Sequence, residues 1–222
     1  MSIIQKKINA IKNKIISINN KYCIAPKKIK LLIVSKSRSI LDIKKAMLYK
    51  QYNFGESYIQ ESLLKINKLK NVQWHFIGNV QSNKTQIIST NFSWCHTIKT
   101  EKTARLLDKY RTNILPKLNV LIQIDIRNNF IASKENINHF KNLVKKIISL
   151  KNLNLRGIMG MPYKFYCYND QIQSYKHIKL YFSIIKDIYP NVDTISIGTS
   201  NDIKAAIISG STLLRIGSYI FN

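Results

Sequence analysis

One lysine and two glycine-serine turns carry the residue types best placed for chemistry in this chain. Leu31-Leu32-Ile33-Val34-Ser35-Lys36 is a short apolar run that ends in an amine, with turn residues on both sides. Such a run reads as a buried strand. A lysine at its carboxyl end stands where core meets water, and partial desolvation there favours the neutral amine. The free lone pair is what Schiff-base chemistry with an aldehyde requires. The alternative is a strand-end lysine that snorkels to solvent. Far downstream lie Gly198-Thr199-Ser200-Asn201-Asp202 and Arg215-Ile216-Gly217-Ser218. Glycines let backbone approach an anion closely, and the Ser200 and Ser218 hydroxyls with nearby N–H groups can donate to phosphate oxygens. Ser-Asn-Asp is equally a good helix N-cap, so either turn alone is weak.

The elements that must bring these residues together follow from periodicity. Ile3, Ile4, Ile8, Ile11, Ile15 and Ile18 make one apolar face of an amphipathic N-terminal helix within residues 1–20, expected to pack on the outside of a domain. After Pro26, strands are expected at about 30–35, 52–55, 72–78, 92–98, 120–126, 155–162, 194–198 and 213–217, each but the last followed by a helix. Ser39 with Asp42 three residues on reads as a capping-box variant, and Val120-Leu121-Ile122-Gln123-Ile124-Asp125-Ile126 is rich in β-branched residues. Strict alternation implies a parallel sheet with right-handed crossovers. Eight such units in 222 residues fit a single-domain α/β protein, a closed (β/α)8 barrel spanning 1–222 with an extra N-terminal helix. An open doubly wound sheet is the rival, but the first βα turn lacks a GxGxxG fingerprint.

In a barrel the first strand closes beside the eighth, and phosphate commonly sits on the loops after strands seven and eight. Lys36 and the two turns would then be neighbours. An amine, a phosphate cup and a pocket between them suggest pyridoxal 5′-phosphate. The stretches LLIVSKSRS (31–39), FGESYIQE (54–61), WHFIGNVQSNK (74–84), FSWCHTI (92–98), NVLIQIDI (119–126), LRGIMGMP (155–162) and ISIGTSNDIKAAIISGSTLLRIGSYIF (195–221) cover the chain nearly end to end. Through them the sequence resembles the pyridoxal phosphate homeostasis proteins, also described as proline synthetase co-transcribed homologues and related to the N-terminal domain of alanine racemase. The resemblance implies that Lys36 holds the cofactor as a Schiff base and that Ser200, Gly217 and Ser218 hold its phosphate. It implies that Arg215 faces the pyridine nitrogen, where a permanent cation disfavours a protonated ring and weakens it as an electron sink. It implies a non-catalytic protein that stores, buffers or delivers the cofactor, with apo-enzymes as recipients. The departures are Ser57 where the family has Asn, Thr199 for Met, Ser218 for Thr, and Ala132-Ser133-Lys134 for a Lys-Ser-Gly loop.

The sequence leaves two other function classes open. A pyridoxal phosphate-dependent amino-acid racemase would share the barrel, but the sequence stops after strand eight without the β-rich domain that supplies an opposing tyrosine. A polyanion-binding protein is suggested by the net charge of +25. The lysines, however, spread through nearly every helix and form no block, so specific nucleic-acid recognition is not expected. Membrane spans are not expected either, nor a signal peptide, and three cysteines without CxxC spacing read as reduced; a cytoplasmic monomer is the expectation. His75 between Trp74 and Phe76 reads as a packed, hydrogen-bonded histidine. Cys95 and His96 have no partner at ligand spacing, so no metal is expected. Glu56 is a possible general base, Glu61 reads as a solvated helix residue, and Tyr58 and Tyr163 as possible ring contacts. Met159 and Met161 are expected in or near the barrel core.

Overall fold

The computed structural model describes residues 2–24, 29–125, 133–161 and 167–222. Pro26, Tyr163 and most of the loop before Ser133 therefore lie outside the described residues. The chain opens with α1 (Ile3–Lys21), started by Ser2, whose hydroxyl accepts from Gln5 N. Its stripe of Ile4, Ile8, Ile11, Ile15 and Ile18 is buried while Ile3 is exposed, the 3/4 spacing realised as one face. Strand and helix then alternate: β1 (Lys30–Val34), α2 (Ile40–Met47), β2 (Asn53–Glu56), α3 (Ile59–Lys68), β3 (Gln73–Phe76), α4 (Thr85–Asn91), β4 (Trp94–Ile98), α5 (Glu101–Tyr110), β5 (Leu118–Asp125), α6 (Lys134–Ile148), β6 (Leu153–Met161), α7 (Tyr168–Ile188), β7 (Thr194–Ser196), α8 (Ile203–Ile208) and β8 (Leu213–Ile216). A last short helix, α9 (Ser218–Phe221), was not expected from the sequence.

The eight strands close into one parallel barrel in chain order. The closing seam pairs β1 with β8, Leu32 opposite Arg215 and Ile33 opposite Ile216. Ser39 caps α2 as anticipated, its hydroxyl accepting from Asp42 N at 3.1 Å and donating to Asp42 Oδ2 at 2.7 Å. The main core lies between strands and helices, where Ile33, Phe54, Phe76, Val120 and Ile158 meet the apolar helix faces. Alternate residues point inward instead. Inside the barrel, Trp94, Leu121 and Met159 form a separate cluster. Met161 departs from expectation: it ends β6 with 41% of its surface exposed, because the strand has by then left the packed interior. α1 packs across α8, α9 and α2, on the side of the seam.

Candidate functional site at the carboxyl ends of the strands

β1 stops at Val34. Ser35 N still donates to Gly55 O at 3.0 Å, and the chain then turns through Ser37 at φ 59°. Lys36 thus sits on a turn and is exposed, whereas Ser35 is fully buried. This corrects the expectation of a desolvated strand-end amine: desolvation stops one residue short of Lys36, where the backbone leaves the ladder.

What lies beneath the turn was not read from the sequence. Lys65 of α3 is 3% exposed and donates to Ser35 O at 2.7 Å, Glu56 Oε1 at 2.8 Å and Glu61 Oε1 at 2.5 Å. Ser35 Oγ donates to the same Glu56 oxygen at 2.5 Å, and Ser37 N donates to Glu61 Oε1 at 2.6 Å. Glu61 is therefore no solvated helix residue. With Lys65 one helical turn away it clamps the backbone on both sides of Lys36. Burial outweighs the bonds from Lys65 and Ser35 and holds the Glu56 carboxyl above the usual range. Its Oε2 has no hydrogen-bond partner among the described residues. The available signal was the i,i+4 spacing of Glu61 and Lys65 just after a strand-end glutamate.

The two turns also come together. Ser200, Asn201, Ser218 and Tyr219, with Lys7 and Asn222, line one cleft of about 340 Å³. The first turn is braced by Asp202, whose Oδ1 accepts from Thr199 N at 2.5 Å and Thr199 Oγ1 at 2.7 Å, while Oδ2 accepts from Tyr175 Oη. Threonine at 199 thus adds a bond that methionine would lack. Ser218 opens α9, where Ile220 N and Phe221 N donate to Gly217 O. Gly217 packs against β1, and a Cβ on it would lie 2.8 Å from Val34 O. The β1–β8 pairing ends at Ile33 opposite Ile216, just before the Lys36 turn on one side and Gly217-Ser218 on the other. Arg38 fastens the Lys36 turn to α9: its Nη2 donates to Asn222 Oδ1 and its guanidinium lies 5.6 Å over the Phe221 ring.

Arg215 points into the barrel and is 6% exposed. Its Nη1 donates to Ser196 O at 2.6 Å and Ser196 Oγ at 2.9 Å, and its Nη2 to Gly160 O at 2.9 Å. Burial lowers its pKa, opposed by the charges of Tyr175 and Asp202. Next to Ser196 lie the two interior histidines. His96 Nδ1 is 3.3 Å from Ser196 Oγ, His96 Nε2 is 2.9 Å from His75 Nδ1, and His75 Nε2 is 3.3 Å from Asn53 Oδ1. Burial and then Lys30 push His75 down to about 3, and burial, His75 and Arg215 push His96 well below its ordinary value. His75 is packed and hydrogen-bonded as read. His96, read only as lacking a partner at metal-ligand spacing, is hydrogen-bonded on both sides. Cys95 faces the outer core, where burial raises its thiol to about 11. Tyr58 is exposed at the start of α3.

The closed parallel eight-stranded barrel is an α/β barrel of the alanine racemase N-terminal type. The family profile described as "Alanine racemase, N-terminal domain" matches residues 7–222. A curated relative named "Pyridoxal phosphate homeostasis protein" from Buchnera aphidicola subsp. Baizongia pistaciae is 59% identical over the whole of both chains. One of the same name from Escherichia coli K12 is 39% identical, over 89% of this chain and 86% of that one. The chain belongs to the pyridoxal phosphate homeostasis protein family. Among solved structures, PipY of Synechococcus elongatus with PLP bound superposes with a TM-score of 0.83 at 20% identity, covering 99% of this chain and all of that one. An alanine racemase of Clostridium difficile superposes at 0.72 and 15% identity, over 98% of this chain and 55% of the racemase.

Proposed function

We propose that this chain binds pyridoxal 5′-phosphate at the barrel mouth, attached through Lys36 Nζ, and stores or delivers it to apo-enzymes without turning over a substrate. The observation that supports this reading is the β1–β8 seam, which pairs Ile33 with Ile216, just before the Lys36 turn and the Ser218 end of the serine-lined cleft. The cofactor brings an aldehyde that condenses with an amine, a phosphate and a pyridine nitrogen. Each has a counterpart here. Lys36 supplies the amine from an exposed turn that a ligand can reach. Ser200 and Ser218 supply hydroxyl donors for the phosphate, with Gly217 next to Ser218. Arg215 supplies a buried cation, which disfavours a further positive charge on a ring nitrogen beside it. Suppressing that charge suits a carrier. The names of the relatives support the same assignment.

The reading is tested by equilibrium binding of pyridoxal 5′-phosphate to the parent, to Ser200→Ala with Ser218→Ala, and to Lys36→Ala, with alanine racemisation followed in the same samples. Losing two charge-assisted hydrogen bonds should weaken binding by about 100-fold. Racemisation should stay at background in all of them. Turnover by the parent that Lys36→Ala abolishes would replace the carrier reading with the racemase one.

A further inference from the structure

We propose that Ser196, His96, His75 and Asn53 form a one-way hydrogen-bond chain across the barrel that holds the Arg215 guanidinium in place, making His96 a positioning residue for the ligand ring. The consequence for binding rests on the function proposed above; the chain itself rests on geometry. An arginine can only donate, so Ser196 Oγ accepts from Arg215 Nη1. The serine's own proton points to His96 Nδ1, 3.3 Å away, in the order that sets a protonated His75 Nε2 against Asn53 Oδ1. A neutral imidazole that accepts at Nδ1 carries its proton on Nε2, and His96 Nε2 is 2.9 Å from His75 Nδ1. His75 therefore accepts at Nδ1 and donates from Nε2 to Asn53 Oδ1, 3.3 Å away. Every donor points from Arg215 towards Asn53. The opposite order would set an unprotonated His75 Nε2 against a carbonyl oxygen. With His96 carrying its proton on Nε2, a doubly protonated His75 would point its Nδ1–H at another donor.

The rings have little freedom to leave this arrangement. His75 stacks on Trp94 with centroids 5.1 Å apart at 12°, and Arg156 lies 5.0 Å over the Trp94 ring. The chain runs through β8, β7, β4, β3 and β2 in turn. It thus ties the guanidinium, also held by Gly160 O on β6, to strands on the far side of the barrel. Because His96 takes the Ser196 proton, that hydroxyl is left to accept from Arg215 without competition.

The test uses the full-length chain labelled with 15N, at pH 7, without and then with pyridoxal 5′-phosphate. Imidazole 15N–1H correlations report the tautomers, and the Arg215 Nη signals report whether the guanidinium rotates. Both histidines should appear as neutral Nε2–H tautomers, with Arg215 giving resolved, slowly exchanging Nη signals. His96→Gln can accept and donate in the same order and should keep those signals and bind the cofactor within about twofold of the parent. His96→Phe should merge the Nη signals and weaken binding by about tenfold, the loss of one well-placed hydrogen bond. If His96→Phe does not fold, Ser196→Ala makes the same comparison. An Nδ1–H or doubly protonated histidine in the parent would overturn the proposal, as would unchanged Arg215 signals in a folded His96→Phe or Ser196→Ala protein. A parent with the expected tautomers that binds no pyridoxal phosphate would contradict the function proposed above and leave the chain standing.

Discussion

Lys65 fixes the turn that presents Lys36, through three hydrogen bonds made at 3% exposure. Removing one partner of a buried ion pair leaves the other charge uncompensated, which typically costs about 3–5 kcal/mol. Lys65→Met is accordingly expected to lower the urea midpoint by that equivalent. Adding Glu56→Gln should recover part of the loss, since the stranded group is then neutral. Equal midpoints for parent and Lys65→Met would show that the clamp contributes nothing. The place of Lys36 just after β1 was legible because an amine closing an apolar run is a local pattern. Lys65 was not: among the 36 Lys and Arg residues most lie on solvated faces, and long charged side chains are seldom fully buried. Only the closed barrel shows that α3 turns this one inward, over two glutamates.

The elements that matter most are the β1–β8 seam and the helix packed behind it. Gly217 is required there by close approach, since its missing Cβ would sit 2.8 Å from Val34 O. Gly217→Ala should destabilise by about 1–3 kcal/mol through the forced shift, and should weaken pyridoxal phosphate binding as the mouth widens. Calorimetry and a binding titration on the same preparation would check both; tight binding with an unchanged melting temperature would remove the seam from the account. α1 supports the cup from outside: Ile11 is 2% exposed and shares a small cleft with Ser200, Ile203 and Tyr219. Ile11→Ala is expected to cost about 2–5 kcal/mol, read from denaturant unfolding, with an unchanged midpoint as the contrary result. The helices and strands were legible from their periods, though of the six isoleucines read as the α1 face Ile3 is exposed. α9 was not, because its four residues are too few to show a period and Ile220 alone is buried. The strand ends also fell a residue or two inside the sequence estimate at β1, β7 and β8. At those three points the backbone leaves the ladder to build the mouth.

At the scale of the whole molecule, alternation of strands and helices made the (β/α)8 architecture legible, while the polar contents of the barrel interior were hidden. No single strand's sequence shows that His75, His96, Ser196 and Arg215 meet inside the barrel. Their meeting gives the molecule a pH dependence with a definite sign. His75 and His96 are neutral when folded and ordinary histidines when unfolded. Below about pH 6.5 the unfolded chain takes up protons that the folded barrel refuses until about 3 at His75. Stability should therefore fall as pH drops through that window, by up to about 1.4 kcal/mol per pH unit for each histidine. Urea midpoints from pH 7.5 to 5.0 should show a slope that His96→Gln reduces; a flat profile would mean the pair is not held neutral. The central claim is that Lys36 is where pyridoxal phosphate is held, and the most direct measurement is borohydride reduction of the protein mixed with the cofactor, followed by peptide mass spectrometry. The account predicts one phosphopyridoxyl adduct, on Lys36, and none above background in Lys36→Ala. Adducts spread over many surface lysines, or an equal yield from the mutant, would contradict it.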